Sequence, residues 1–481
     1  MGMEYSGDYN RTQVKRLNDN DKVLSRRRFL AGAGALAALP FAPAFGDSGI
    51  KTVEARLRAA PARVQVVPSA YPATDVWAYN GELPGPVLRL RQGERLRVQV
   101  HNALTEGTTV HWHGVRLPNA MDGVPVVTQP PIAPGGEFLY EFAPPDAGTF
   151  FYHPHQRSFE QVARGLAGAL IVEERDPPQV DRDLVWVLGD WRLDRDASIA
   201  GGFGSFMDVS HAGRIGNTVT INGRVPETFR VRAGERIRLR LINAATARAF
   251  ALSFDGHRPW VIALDGQPVE PFELDGAVEL GPAMRADLIL DMTGAPGGRH
   301  VVRDSFYPRR EYELVSVVYG EEAPLRKSFS EVPRLPSNPV PEPDLQGAER
   351  HEVRFTGGMM GNMRAISRGM AWAVNGVASG CGEGASAFDP FLVVRRGRSC
   401  MLELANDTAR HHPIHLHGHA FRVLSRNGAP NPRREWLDTV MLAPRQRAEI
   451  AFVADNPGDW MFHCHVLDHQ AAGMMACLRV S

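Results

Sequence analysis

The chain has 481 residues, 43% of them hydrophobic, and its 54 basic and 54 acidic side chains leave a formal net charge of zero. That length suits about three domains of ordinary size. Balanced charge provides no field that would favour nucleic acid or an anionic membrane, so neither is expected as a partner.

Glycine at 47 and proline at 36, with no sustained helical period, predict many short strands joined by turns, an all-β architecture of sandwiches or barrels. In chain order the first feature is Ser25-Arg26-Arg27-Arg28-Phe29-Leu30, followed by a weakly apolar, Ala-rich run to Phe45 with Ala42-Pro43-Ala44 as a cleavage site. This resembles a twin-arginine export signal. Gly32, Gly34, Pro40 and Pro43 interrupt a run already too short for a membrane anchor, so no stable membrane insertion is expected. Residues 1–45 would then be absent from the mature protein. The twin-arginine machinery would deliver it to a bacterial periplasm or the exterior.

A repeat follows. Asn80-Gly81 leads through Val87-Leu88-Arg89-Leu90 and Gly93-Glu94-Arg95-Leu96-Arg97-Val98 to Asn102. The frame recurs as Asn222-Gly223, Phe229-Arg230-Val231, Gly234-Glu235-Arg236-Ile237-Arg238-Leu239 and Asn243, and more loosely from Asn375-Gly376 to Asn406. Three β domains related by duplication are expected over residues 50–175, 181–320 and 351–481. Residues 321–350, with Pro333, Pro336, Pro339, Pro341 and Pro343, read as an extended linker. The second domain holds only His211, His257 and His300, which form no sequence pair, and reads as a spacer that sets the angle between its neighbours.

Four histidine motifs lie in the outer domains. They are His111-Trp112-His113-Gly114, His153-Pro154-His155, His412-Pro413-Ile414-His415-Leu416-His417-Gly418, and His463-Cys464-His465 followed by His469 and Met474. On an extended strand Cys464 faces one way while His463 and His465 face the other, so one short strand can serve two metal centres. A thiolate, two imidazoles and a weak axial thioether are blue-copper ligands, and Cys464, His469 and Met474 supply three of them. Four His-x-His pairs account for eight imidazoles and leave His412 over to complete that site. A lone His-x-His pair is more often a surface or packing feature, but four pairs with this spacing are not.

On these motifs the chain resembles the multicopper oxidases, the family of laccases, cuprous oxidases and ascorbate oxidase, over nearly all of residues 50–481. The resemblance implies three cupredoxin-like Greek-key β-sandwich domains. It also implies four copper ions, one blue and mononuclear, three in a trinuclear cluster between the first and third domains. Carried over by position, the blue site would use His412, Cys464, His469 and Met474, with His411 and Met475 as the alternatives one residue out of register. His111 and His415 would hold the normal copper of the cluster. His113, His153 and His465 would hold one member of the coupled pair, and His155, His417 and His463 the other.

The implied reaction takes electrons singly from a reductant at an exposed imidazole edge of His412 or His469. Cys464 passes them through the backbone to His463 and His465, and dioxygen is reduced to water. Asp122 matches an acid beside the cluster with a proton-supply role, and reads equally as a turn aspartate before Gly123. Gln470 stands where one bacterial pattern has Glu, while Asp468 is expected to point the other way. Phenols, aromatic amines and Cu(I) are the implied reductants.

Phe355-Thr356-Gly357-Gly358-Met359-Met360-Gly361-Asn362-Met363, with Met370 following, resembles in miniature the methionine-rich segments that gather Cu(I), and reads otherwise as a gap-filling loop. A two-domain nitrite reductase and a non-catalytic copper-tolerance or copper-binding relative are the competing classes. The first lacks four His-x-His pairs, and the second typically loses ligands. A monomer is expected. Cys381 and Cys400 could pair in an oxidising compartment, and Cys477 reads as a buried thiol.

Overall fold

The computed structural model describes residues 50–358, 370–379 and 389–481. The export signal, Met359, Met360, Met363 and Cys381 lie outside the described residues. The regular structure of the described residues is almost all strand, arranged as six sheets.

Each of the three sequence repeats begins with the same pairing logic. Thr52–Val64 runs parallel to Arg95–Asn102, Arg182–Trp191 to Arg236–Asn243, and Glu349–Gly357 to Ser399–Asn406. Each second strand then pairs antiparallel with a later one, Glu137–Phe142, Arg285–Asp291 and Arg447–Val453 respectively. A second sheet accompanies each of these, giving three cupredoxin-like sandwiches.

The repeated residues have repeated jobs. Asn80, Asn222 and Asn375 all adopt positive φ, 57°, 51° and 50°, the left-handed conformation that asparagine tolerates in tight hairpin turns. Each side-chain oxygen accepts the backbone N–H of a neighbouring strand, from Arg58, Val187 and Arg354. Asn102, Asn243 and Asn406 are buried at strand ends, where each amide satisfies loop carbonyls and accepts the N–H two residues on.

The first and third sandwiches share one continuous apolar cluster, containing Leu57, Val98 and Phe150 from one and Val353, Leu402 and Phe462 from the other. The second sandwich has its own core, including Ile237, Leu239 and Leu241. On the opposite face of that same strand, Arg236, Arg238 and Arg240 are buried too. Arg238 pairs with Glu174 and Asp287, and Arg240 with Asp183 and Asp287 while also donating to Thr149, which ties the second sandwich to the first. The Pro-rich segment is held down in turn: Asn338 donates to the Ala147 carbonyl, and Arg116 to that of Pro339. Cys400 is a free, buried thiol. Among the described residues no helix is long and apolar enough to cross a membrane.

Candidate metal centres

Two clusters form on opposite sides of the strand Gly458–Cys464. That strand pairs with His412–Leu416, setting Cys464 opposite Ile414 and His463 opposite His415. The alternation of side chains then separates the thiol from the imidazoles that flank it.

On the thiol side, Cys464 Sγ lies 3.5 Å from His412 Nδ1 and 3.8 Å from His469 Nδ1, and those two nitrogens are 3.2 Å apart. The short helix Leu467–Ala471 turns His469 back toward the strand, and its carbonyl accepts the N–H of Met474. Met474 is fully buried in the apolar cluster that contains Cys464. Met475 belongs to a different one, with Val124 and Met461. His411 is exposed beside the Phe306 ring. Met475 pairs across from His463, and Cys464 donates its N–H to the Met474 carbonyl, so by strand alternation Met474, with His412, is on the thiol's side.

The expected exposed imidazole edge is not there. His412 and His469 are both fully buried. Trp372 packs its ring 4.3 Å from that of His469 and 5.0 Å from that of His412, and its indole N–H is fixed on the Val209 carbonyl. His469 Nε2 donates to the His211 carbonyl at 2.9 Å. The second domain thus covers this centre with its 209–211 segment, which no local pattern in the sequence announces.

On the other side eight imidazoles from the first and third domains converge, all buried. Their tautomers can be read from their partners, because a carbonyl only accepts. His111 Nδ1 donates to the Asp122 carbonyl, His415 Nδ1 to that of Asp438, His463 Nδ1 to that of Cys464 and His153 Nδ1 to that of Pro154. Each of these rings therefore presents a bare Nε2. His417 does the same, its Nδ1 being 2.8 Å from Asp122 Oδ2.

Two of the bare nitrogens face one another and a third faces His465. His417 Nε2 and His463 Nε2 are 3.0 Å apart, and His153 Nε2 and His465 Nε2 are 3.3 Å apart. Nitrogen atoms of His111, His113, His155, His415 and His465 are buried with no partner at all. Opposed lone pairs and orphaned buried acceptors cost free energy that a shared cation removes. The donor set fits copper: imidazole for one cluster, thiolate with imidazole and thioether for the other.

Within ligand distance of one another are His155, His417 and His463, then His111, His415 and His417, then His111, His113 and His153, and finally His412, Cys464 and His469. His465 joins His113 and His153 with ring centroids 4.9 Å and 5.0 Å away. Burial first, and then the neighbouring imidazoles, holds His113, His153, His155, His412, His417 and His465 well below the usual histidine range, in the neutral form that binds metal.

Asp122 sits in the turn before Gly123 and beside the imidazole cluster. It follows a single 3-10 turn, Asn119–Met121, and its carboxylate holds His417 and lies 3.2 Å from His111 Nδ1. Gln470 is 3.3 Å from His155 Nδ1 and bonds Ser158 through its other amide atom. Asp468 lies on the helix rather than an extended segment and turns away, accepting the Arg214 N–H of the second domain.

Sequence reasoning missed Asp438, Thr439, Asp265 and Arg285. Asp438 Oδ1 and Thr439 Oγ1 sit 3.1 Å and 3.2 Å from His113 Nε2. Burial opposes its ionisation, but the charge of Arg285 and hydrogen bonds from Arg285 and His415 hold Asp438 well below the carboxylate range. The one trace in the sequence is the glycine that ends the first motif: Gly114 adopts positive φ and leaves room for the Arg285–Asp438 pair, though a glycine alone does not name its neighbours.

Comparison with known proteins agrees with this geometry. Three family models, each described as multicopper oxidase, match residues 62–177, 182–314 and 364–481. The multicopper oxidase MmcO of Mycobacterium tuberculosis is 33% identical over 92% of this chain and 90% of its own. The crystal structure of a multi-copper oxidase from Pseudomonas thermotolerans is 38% identical, with a TM-score of 0.81 over 90% of this chain and all of that one. A Campylobacter jejuni multicopper oxidase described as a metallo-oxidase is 26% identical, with a TM-score of 0.75 over 89% of this chain and 91% of that one. The chain belongs to the multicopper oxidase family, and is an oxidoreductase that couples one-electron oxidation of a reducing substrate to the reduction of dioxygen.

Proposed function

We propose that this oxidase carries four copper ions and takes its electrons from small aromatic donors. His412, Cys464, His469 and Met474 would hold the blue copper, His111 and His415 the normal copper, and the remaining six imidazoles the coupled pair in the two triplets given above. When bound, copper supplies reversible one-electron exchange at the thiolate and the electrons that reduce dioxygen at the imidazole cluster.

The chain's own residues do the rest. Cys464 is joined through the backbone to His463 and His465, giving a short route between the clusters. Asp122, hydrogen-bonded to His417, is placed to supply protons. The chain completes the site without a second copy, and we take it to act as a monomer. The Ser25–Leu30 motif supports twin-arginine export to a periplasm.

One observation carries the choice of donor. A cavity of about 300 Å³ between the second and third domains is lined by Phe306, Tyr307, His411, Pro413, Met441 and Val466, among others. Pro413 and His411 flank His412, and the Val466 N–H points at Cys464 Sγ at 3.4 Å. An aromatic ring seated there would meet Phe306 and Tyr307 and lie against the residues that adjoin His412. A second reading, Cu(I) as donor and copper tolerance as role, is supported by Met207, which is exposed on the helix Phe206–Ser210 two residues before Val209, whose carbonyl holds Trp372.

Oxygen uptake by the copper-loaded protein with a phenol and with Cu(I) distinguishes the two. The aromatic reading predicts that Phe306→Ala raises KM for the phenol several-fold and leaves Cu(I) turnover unchanged. Cu(I) turnover that exceeds the phenol's and is lost with Met207→Ala would overturn it.

A further inference from the structure

Arg285, in the second domain, reaches all three domains from a wholly buried position. Its Nη1 and Nη2 each donate to one carboxylate oxygen of Asp438 in the third domain. Its Nε donates to the Thr149 carbonyl in the first, at 3.2 Å. Within its own domain Asp265 buttresses the pair. That carboxylate lies 3.5 Å from Nη1 and accepts the backbone N–H groups of Arg285, Asp438 and Thr439.

What Arg285 grips is the part that orients two imidazoles. Asp438 Oδ1 accepts from His113 Nε2, and the Asp438 carbonyl accepts from His415 Nδ1. Thr439 Oγ1 donates to Asp438 Oδ1 at 2.8 Å and lies within 3.2 Å of both rings. The rings come from different domains, yet stack with centroids 3.8 Å apart and planes at 23°. Their unpartnered atoms are His113 Nδ1 and His415 Nε2, the two that face inward.

We infer that Arg285 is a positioning residue for the trinuclear cluster: by fixing Asp438 in bidentate geometry it sets the tautomer and tilt of His113 and His415. The second domain, which contributes no imidazole to the cluster, thereby determines how the normal copper is held. A bidentate guanidinium fixes both oxygens of a carboxylate, whereas an ammonium fixes neither plane nor direction. Groups that orient a metal-binding histidine typically change metal affinity by about 10- to 100-fold when removed.

This inference rests on the copper assignment above, and the test separates the two. The copper-loaded wild type, Arg285→Lys and Asp265→Asn would be compared by copper per chain during chelator titration, by the electron paramagnetic resonance signal of the non-blue copper, and by blue absorption. The expected result is an intact blue band in both variants. Arg285→Lys should release the normal copper at roughly 10- to 100-fold lower chelator concentration, and Asp265→Asn should keep it with altered hyperfine splitting. A wild type with no blue band would sink the copper assignment itself. Unchanged titration and resonance in both variants would overturn the positioning role, and so would parallel loss of blue and non-blue copper, the mark of a merely structural tie. Should Arg285→Lys fail to fold, Asp265→Asn decides alone.

Discussion

Gly114→Ala probes the most crowded point behind the imidazole cluster. Gly114 has φ +82°, and a methyl group on its Cα would overlap both Arg285 Nη2 and Asp438 Oδ2. Holding alanine in the left-handed region costs about 1–2 kcal/mol. Forcing apart a buried ion pair costs about 3–5 kcal/mol more, because each charge is left without its partner. The expected loss is thus about 4–7 kcal/mol, against a typical domain stability of about 5–15 kcal/mol. Chemical denaturation of the copper-free protein measures it. Gly81→Ala is the control, since Gly81 has φ +78° with nothing within 4 Å of the added methyl, and should cost only the conformational part. Equal losses in the two variants would refute the claim that Gly114 exists to admit the Arg285–Asp438 pair.

Cys464→Ser should abolish the blue absorption and oxidase activity while the imidazole cluster still takes up copper; normal turnover in that variant would sink the ligand assignment. Met474→Leu should keep the blue colour and raise the reduction potential, because a weak donor to the oxidised ion is lost. Met475→Leu, packed instead with Val124 and Met461, should leave the potential where it was. Burial pushes the Cys400 thiol up to about 12 and that of Cys477 up to about 11. A raised pKa means less thiolate at every lower pH, so at pH 8 Cys400 should react with a disulfide reagent about a thousandfold more slowly than a free thiol, and faster with each pH unit. Rapid labelling of Cys400 in the native protein, located by peptide mapping, would contradict its burial.

Much of the metal chemistry was legible because it is local. The alternation around Cys464 and the spacing to His469 and Met474 depend on a strand and one short turn, which sequence periodicity reports. The Asn-Gly turns and buried asparagines of the repeat were legible for the same reason. The contribution of the second domain was not. Arg236, Arg238 and Arg240 alternate with apolar residues just as Arg95 and Arg97 do, yet Arg238 and Arg240 are buried against the first domain and Arg236 against the linker, while Arg97 faces solvent. A period of two fixes which residues share a face and says nothing about what covers it. Asp265, Arg285 and the His211 carbonyl act across domain boundaries, and no motif marks them. The same long-range packing hid His469, whose Nε2 is covered by the His211 carbonyl of the second domain.

The cover over that thiolate centre makes it an insulated conductor. Trp372 and the 209–211 segment keep any donor from touching His412 or His469, so electrons must tunnel through at least one layer of protein. Tunnelling falls steeply with distance and depends little on chemical identity. A donor that enters the cavity gains a short path, while an equally strong reductant kept at the surface pays for every ångström. If electrons enter by that route, selectivity is set by how near a molecule can come rather than by which groups it carries.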